Sequence, residues 1–432
     1  MAKDEMRINA TRLNDNLVSS CAWGSLGNGG MCRLAADDDD GKVRGWFMTQ
    51  CRQYGCETKV DQMGNIFGIR PGQNNNIPPI ALGSHLDTQP RGGKYDGILG
   101  ICCALEVLAT VHEAGMTTYA PLAVVNWTNE EGARFLPSML GSGVWCGKYT
   151  VEFAHERSDA GGNKLGDELR RIGYLDAASV ECSYMTNPLS AHLEVHIEQG
   201  PVLDENRESV AVVSGIQAIR WYGIQLIGRE SHAGTTPMNR RRDALLAAAR
   251  VIDSVNHIAT TSESIDKGLR TTVGVINSMP QAINTIAGQV ELFLDLRSPS
   301  DDEMNSLDEE CQRSINAIAK RMNIEVRLNP IFDSPALHFN NTASTCIGEA
   351  ALARGYRRQL ISGAGHDRQV TFVSSSRWFG NADDDFSMYT AWHCPTGMIF
   401  VRCRDGVSHH PSEYSRPEEF VCSLAIGLVR RC

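Results

Sequence analysis

Apolar and polar positions alternate along the first half of the chain as short strands punctuated by longer helical segments. Ile80-Ala81-Leu82 is an apolar run that ends at Gly83-Ser84-His85. Residues 99–111 form an apolar segment long enough for a buried helix, and residues 121–127 form a second buried strand. That strand ends at Asn129-Glu130-Glu131-Gly132. Such alternation predicts a mostly parallel sheet covered on both faces. In sheets of that kind, chemistry gathers just beyond the carboxyl ends of the strands.

The middle of the chain has another rhythm. Residues 216–227 read as a strand and 240–259 as an Ala-rich helix, followed by strands at 271–276 and 289–296. Ser300-Asp301-Asp302-Glu303 is a capping box. It opens a helix with Met304, Leu307, Cys311, Ile315, Ile318 and Met322 on one face. A last strand covers 324–328. The order β-α-β-β-α-β is the ferredoxin-like pattern. The expected fold is therefore α/β: residues 1–214 and 335–432 form one domain, and 215–334 an inserted α+β domain. Asp37 to Asp40 reads as a solvated turn before a helix.

Composition changes this picture little. A chain of 432 residues is long for a single core, which favours two domains. The formal net charge of −10 argues against nucleic acid and anionic membrane as partners. No apolar run approaches the roughly 18 residues of a membrane span. The polar start Met1-Ala2-Lys3-Asp4-Glu5 lacks an apolar signal core, so the expected address is cytoplasmic. The 14 cysteines are dispersed, and Cys102-Cys103, inside an apolar segment, read as reduced buried thiols.

Candidate chemistry lies in polar clusters after apolar strands: His85-Leu86-Asp87, Tyr95-Asp96-Gly97, Asn129-Glu130-Glu131 and residues 192–198, with Ser408-His409-His410 near the end. A period of two places His192, Glu194, His196 and Glu198 on one strand face. Imidazole and carboxylate without thiolate suit a catalytic zinc or another borderline divalent ion. A lone His at a strand end is more often a hydrogen-bonded structural residue. The weight comes from several clusters that one sheet edge would gather.

The run of motifs resembles a known family. In order stand Gly83-Ser84-His85-Leu86-Asp87-Thr88, Gly92-Gly93-Lys94-Tyr95-Asp96-Gly97, Asn129-Glu130-Glu131-Gly132-Ala133-Arg134-Phe135 and His196-Ile197-Glu198-Gln199-Gly200-Pro201. His232-Ala233-Gly234-Thr235-Thr236-Pro237-Met238, Asp295-Leu296-Arg297-Ser298, Gly365-His366-Asp367, Cys394-Pro395-Thr396-Gly397-Met398 and Gly406-Val407-Ser408-His409 follow. Together they resemble the N-carbamoyl-amino-acid amidohydrolase, β-alanine synthase and allantoate amidohydrolase branch of the aminoacylase-like di-zinc peptidases.

The resemblance implies a di-zinc aminopeptidase-like catalytic domain with a ferredoxin-like dimerisation domain inserted in it. It implies two Zn2+ ions, with Mn2+, Co2+ or Ni2+ as alternatives. Asp96 would bridge them, His85 and His196 completing one site, Glu131 and His409 the other. Asp87 would orient the His85 ring. Glu130 would be the general base and acid, which agrees with elementary chemistry: two cations about 3.5 Å apart acidify a shared water, and a free carboxylate takes its proton. Arg297 and Asn284 would hold the substrate carboxylate, Gln199 and His366 its carbamoyl end. His232 would reach into the partner's site of a homodimer. His410 would be a bystander. The implied substrate is an N-carbamoyl amino acid, N-carbamoyl-β-alanine first, with N-carbamoyl-L-α-amino acids and allantoate as alternatives.

One stretch departs from the family pattern. Residues 368–393 intervene where the family has a short connection, and the segment 370–390 lacks a helical or strand period. Loose packing is the expectation there. The insertion also leaves open a catalytically impaired homologue that binds metal or ligand.

Overall fold

The computed structural model describes residues 8–353, 360–363 and 389–419. These residues divide into two compact units, one built from those before Gly215 and from Phe339 onward, the other from Gly215–His338.

The first unit is organised on a mixed sheet. Its strands run in the order Glu57–Val60, Ile66–Arg70, Leu122–Trp127, Ile80–His85, Ala191–Ile197, Thr396–Val401 and Val210–Ile216. The four strands from Leu122–Trp127 to Thr396–Val401 are mutually parallel. Those flanking them are antiparallel. This parallel centre is buried on both sides, which explains the near-continuous apolar runs in its strands.

Helix Ile98–Glu113 is buried from Ile98 to Val111 on every side, apolar but for Thr110 and Glu106, which pairs with Arg12 at 2.7 Å, and belongs to the core of this unit. Helix Asp38–Gln53 begins where a solvated turn was expected. Asp37 caps it by accepting from Asp40 N, and Asp40 is itself buried and paired with Arg44 at 2.8 Å. Among the described cysteines Cys102 is a free buried thiol as expected, whereas Cys103 is disulfide-bonded, contrary to the reduced reading.

The second unit is a four-stranded antiparallel sheet in the order Glu325–Ser334, Ala218–Ile227, Gln289–Ser298, Arg270–Met279. Two helices share its core. Ala244–Ala259 contributes Ala244, Ala247, Ala248, Val251, Val255 and Ile258; Asp301–Met322 contributes Met304, Leu307, Cys311, Ile315 and Ile318. The spacings of three and four place each set on one helical face. Ser300 Oγ caps the second helix by accepting from Glu303 N at 3.3 Å. The first helix starts at Ala244 rather than near Arg240, because Asp243 caps it and Met238–Arg240 forms a 3-10 turn. Gln217 separates Val210–Ile216 from Ala218–Ile227, so the strand read across 216–227 starts after a break.

Candidate metal centre

Four neighbouring parallel strands deliver the site. His85 is the last residue of Ile80–His85, and His196 is next to last in Ala191–Ile197. Glu130 and Glu131 follow Leu122–Trp127, and Ser408 and His409 follow Thr396–Val401 after a short turn. Asp96 precedes helix Ile98–Glu113, where the positive end of the helix dipole favours a carboxylate. Gly97, between Asp96 and that helix, has φ +64. A Cβ there would lie 2.3 Å from His85 ring atoms, so both conformation and space require glycine.

Two groups of metal-ligating atoms result, His85–Asp96–His196 and Asp96–Glu131–His409, each with atoms within 4.8 Å of one another. Asp96 belongs to both. Its Oδ1 lies 3.1 Å from His196 Nε2 and 3.5 Å from His85 Nε2. Its Oδ2 lies 3.1 Å from His409 Nε2, which is 3.6 Å from Glu131 Oε2.

The tautomers make this arrangement cation-seeking. His85 Nδ1 is 2.9 Å from the Asp87 carbonyl, and His196 Nδ1 is 2.9 Å from the Ile197 carbonyl. A carbonyl only accepts, so each neutral ring carries its proton on Nδ1 and turns the Nε2 lone pair toward Asp96. Lone pairs facing a carboxylate repel unless a proton or a cation lies between them. Two divalent ions fit this donor set of imidazole and carboxylate. Burial pushes the Asp96 carboxyl up, but when His196, His409 and His85 carry a proton on the nitrogen facing it, their hydrogen bonds outweigh burial and hold it well below the usual range.

Glu130 belongs to neither group. Its Oε2 stands 3.3 Å from His85 Nε2, at the edge of the cluster. Asn129, just before it, is held at φ +55 while its amide donates to the Phe135 and Pro137 carbonyls. Gln199 and His409 share this left-handed conformation, at φ +55 and +54. Strained backbone of this kind collects at functional sites.

Three residues named from the sequence have defined surroundings. Asp87 meets the His85 ring through its main-chain carbonyl. The carboxylate instead accepts from Glu130 N at 3.3 Å and Glu131 N at 3.2 Å, holding the turn that carries both glutamates. Burial pushes the Asp87 carboxyl up to about 6. Gln199 is turned back onto the ligands by its left-handed backbone. Its Nε2 donates to Asp96 Oδ2 at 2.7 Å and lies 3.0 Å from Ser408 Oγ and 3.3 Å from His409 Nε2. His192 shares a strand face with His196 but sits at the strand's start, where its Nε2 accepts from Trp127 Nε1 at 3.2 Å. Burial pushes His192 down to about 4, the neutral form.

Supporting residues passed over in the sequence also emerge. Gln89 holds Glu131, donating from N to Oε1 at 3.0 Å and from Nε2 to Oε2 at 2.8 Å. Glu413 lies behind Asp96, beside Ser408 of the cluster already named from the sequence. The only local signal for Gln89 and Glu413 is a polar residue within a few positions of a ligand histidine. His410 is exposed and bonded to Ser412 at 2.7 Å, apart from both groups.

In the second unit, His232 and Asn284 are adjacent. Ala233 N donates to the Asn284 carbonyl at 2.9 Å, and His232 pairs with Thr285. Gly234 N donates to His232 Nδ1 at 3.0 Å, so the neutral ring presents an Nε2–H donor. Arg297 pairs with Asp295, two residues back on its strand, at 3.1 Å. His366 and most of the segment 370–390 lie outside the described residues. At the end of that segment Tyr389 and Thr390 are buried, against the expectation of loose packing there. Tyr389 packs edge-on against Tyr149 and Trp392.

The model of peptidase family M20/M25/M40 matches residues 81–427. The chain is 36% identical over 411 residues to the N-carbamoyl-L-amino-acid amidohydrolase of Rhizobium meliloti, covering 95% of this chain and 92% of that one. It is 29% identical over 429 residues to the allantoate amidohydrolase of Bacillus subtilis, covering 99% and 97%. A crystal structure of an amidase of the hydantoinase/carbamoylase family from Burkholderia multivorans has a TM-score of 0.86 at 38% identity, covering 99% of this chain and 98% of that one.

Proposed function

From the premise that the chain belongs to peptidase family M20/M25/M40 and is a hydrolase of amide C–N bonds, we propose that it removes the carbamoyl group from an N-carbamoyl amino acid at a two-metal centre. The observation that carries this reading is the pair of donor groups sharing Asp96, with Glu130 close by and outside both. His85 and His196 would hold one cation, Glu131 and His409 the other, and Asp96 both. Divalent ions bound there would supply Lewis acidity and make a water more acidic.

Glu130 takes the proton from the attacking water and returns it to the departing nitrogen. Asp87 keeps Glu130 and Glu131 on one turn through its two hydrogen bonds. His232, with its proton on Nε2, is suited to stabilise a developing oxyanion in the partner's site of a homodimer. Arg297 and Asn284 would bind the substrate carboxylate; Arg297 would then exchange Asp295 for the substrate. Gln199 and His366 would contact the carbamoyl end.

Relatives named for N-carbamoyl-L-amino acids favour an L-α-amino acid product. N-carbamoyl-β-alanine rests on the motif resemblance alone. Ammonia release from N-carbamoyl-L-α-amino acids, N-carbamoyl-β-alanine and allantoate, measured on metal-replete protein, separates these readings. Turnover of allantoate in preference to every carbamoyl amino acid would overturn the proposal.

A further inference from the structure

The loop that carries His409 continues through Pro411 and Ser412 to Glu413, which turns back behind the ligands. Glu413 is buried, and both carboxylate oxygens are engaged. Oε1 accepts the main-chain N–H groups of Tyr95 and Asp96, at 3.0 and 3.1 Å. Oε2 is 3.0 Å from Ser408 Oγ, and the same hydroxyl is 3.1 Å from Asp96 Oδ2. Glu413 belongs to neither donor group. It grips the backbone of the shared ligand, and it shares the Ser408 hydroxyl, whose single proton serves one carboxylate at a time, with the Asp96 oxygen that faces His409.

Gly93 supplies independent evidence that the position is built. A Cβ at Gly93 would lie 2.2 Å from Glu413 Oε1 and 2.3 Å from its Cδ. Because the carboxylate is hydrogen-bonded at both oxygens and enclosed, it has no free path away from such a Cβ. Any residue larger than glycine at position 93 must dislodge it. Burying a carboxylate beside a second one is unfavourable unless its partners compensate. Among the described residues those partners are two N–H groups and one hydroxyl, all on the loops that carry Asp96 and His409.

We propose that Glu413 is a positioning residue of the metal centre: it fixes Asp96 where one carboxylate can serve two cations, and Gly93 is the space that admits it. This inference rests on the two-metal reading given above. Groups that hold metal ligands from behind commonly govern affinity without touching the metal.

Cobalt(II) titration of chelator-stripped protein, followed by visible absorption, tests it. The parent chain should bind two equivalents. Glu413→Ala should bind cobalt roughly 10–100-fold more weakly, with altered absorption bands, although every proposed ligand remains. Glu413→Gln keeps an acceptor for the Tyr95 and Asp96 N–H groups and should recover much of the affinity. Gly93→Ala should reproduce the Glu413→Ala spectrum, and the double variant should bind no more weakly than Glu413→Ala alone. Near-UV circular dichroism identifies a variant that has not folded; if Glu413→Ala fails this check, Gly93→Ala decides by the same criterion. Parent-like affinity and spectrum in folded Glu413→Ala or folded Gly93→Ala, or fully additive losses in the double variant, would overturn the inference alone. A parent that binds fewer than two ions overturns the two-metal reading and this inference with it.

Discussion

Glu130 Oε2 stands 3.3 Å from Nε2 of His85, yet Glu130 is absent from both donor groups, while its neighbour Glu131 belongs to one. The proposal therefore assigns the two adjacent carboxylates separable roles. Glu130→Gln is expected to keep the metal content of the parent and lose activity by about 10²–10⁴, the usual contribution of general acid–base catalysis. Glu131→Gln is expected to lose metal, because the new amide also presents donors to the donating Gln89. Metal analysis of both purified variants checks this. Equal metal loss would make Glu130 a ligand.

Gly97 tests how tightly the ligands depend on the backbone. Gly97→Ala forces an L-residue to φ +64 and ψ −48, the strained γ-turn conformation, at a cost of roughly 1–3 kcal/mol. It also drives a methyl into the His85 ring. A lower melting temperature together with lost metal is the expected outcome, by thermal unfolding and metal analysis. Full metal content would show that His85 has room to move.

His192 sets a pH signature of stability. Its folded-state pKa is about 4 against 6.5 for the unfolded chain. Between these values the unfolded chain binds more protons, so this residue costs stability as pH falls below 6.5. From pH 7 to pH 5 the loss amounts to about 2 kcal/mol. In metal-free protein, urea unfolding at the two pH values should show a larger drop for the parent than for His192→Gln, by about that amount. Other groups that titrate in this range contribute to both proteins and cancel. Identical drops would mean that His192 is charged or exposed when folded.

The fold was legible wherever the signal was local. Strand ends at His85 and Trp127, the Ser300 capping box and the apolar faces of the second unit's helices follow from spacing of a few residues. Alternation correctly put His192 and His196 on one face. It could not show that only His196 reaches the end of the strand where the other ligands gather. Glu413 was invisible for a different reason: its bond to Tyr95 spans 318 positions, and no local period encodes such a pairing. Asp87 was half-legible, because sequence names a residue but does not say whether its carbonyl or its carboxylate meets the His85 ring.

Strand Arg270–Met279 lies at the edge of the second unit's sheet, with Ile276 46% and Met279 64% exposed. An apolar edge strand is a ready pairing surface, and a dimer through it is expected. Ile276→Lys should shift the parent's mass in solution toward the monomer. Mixing His232→Ala with Glu130→Gln subunits should restore activity in mixed dimers, since one of the two sites would then carry both groups. Mixed dimers that stay inactive would exclude a shared site.

The two-metal hydrolase reading is tested most directly by restoring divalent metal to chelator-stripped protein while following ammonia release from an N-carbamoyl-L-amino acid. Activity absent from the stripped protein, rising with added zinc, cobalt or manganese and reaching its plateau at two ions per chain is the expected result. Hydrolysis that persists after stripping, or a plateau reached with no more than one bound ion, would contradict it.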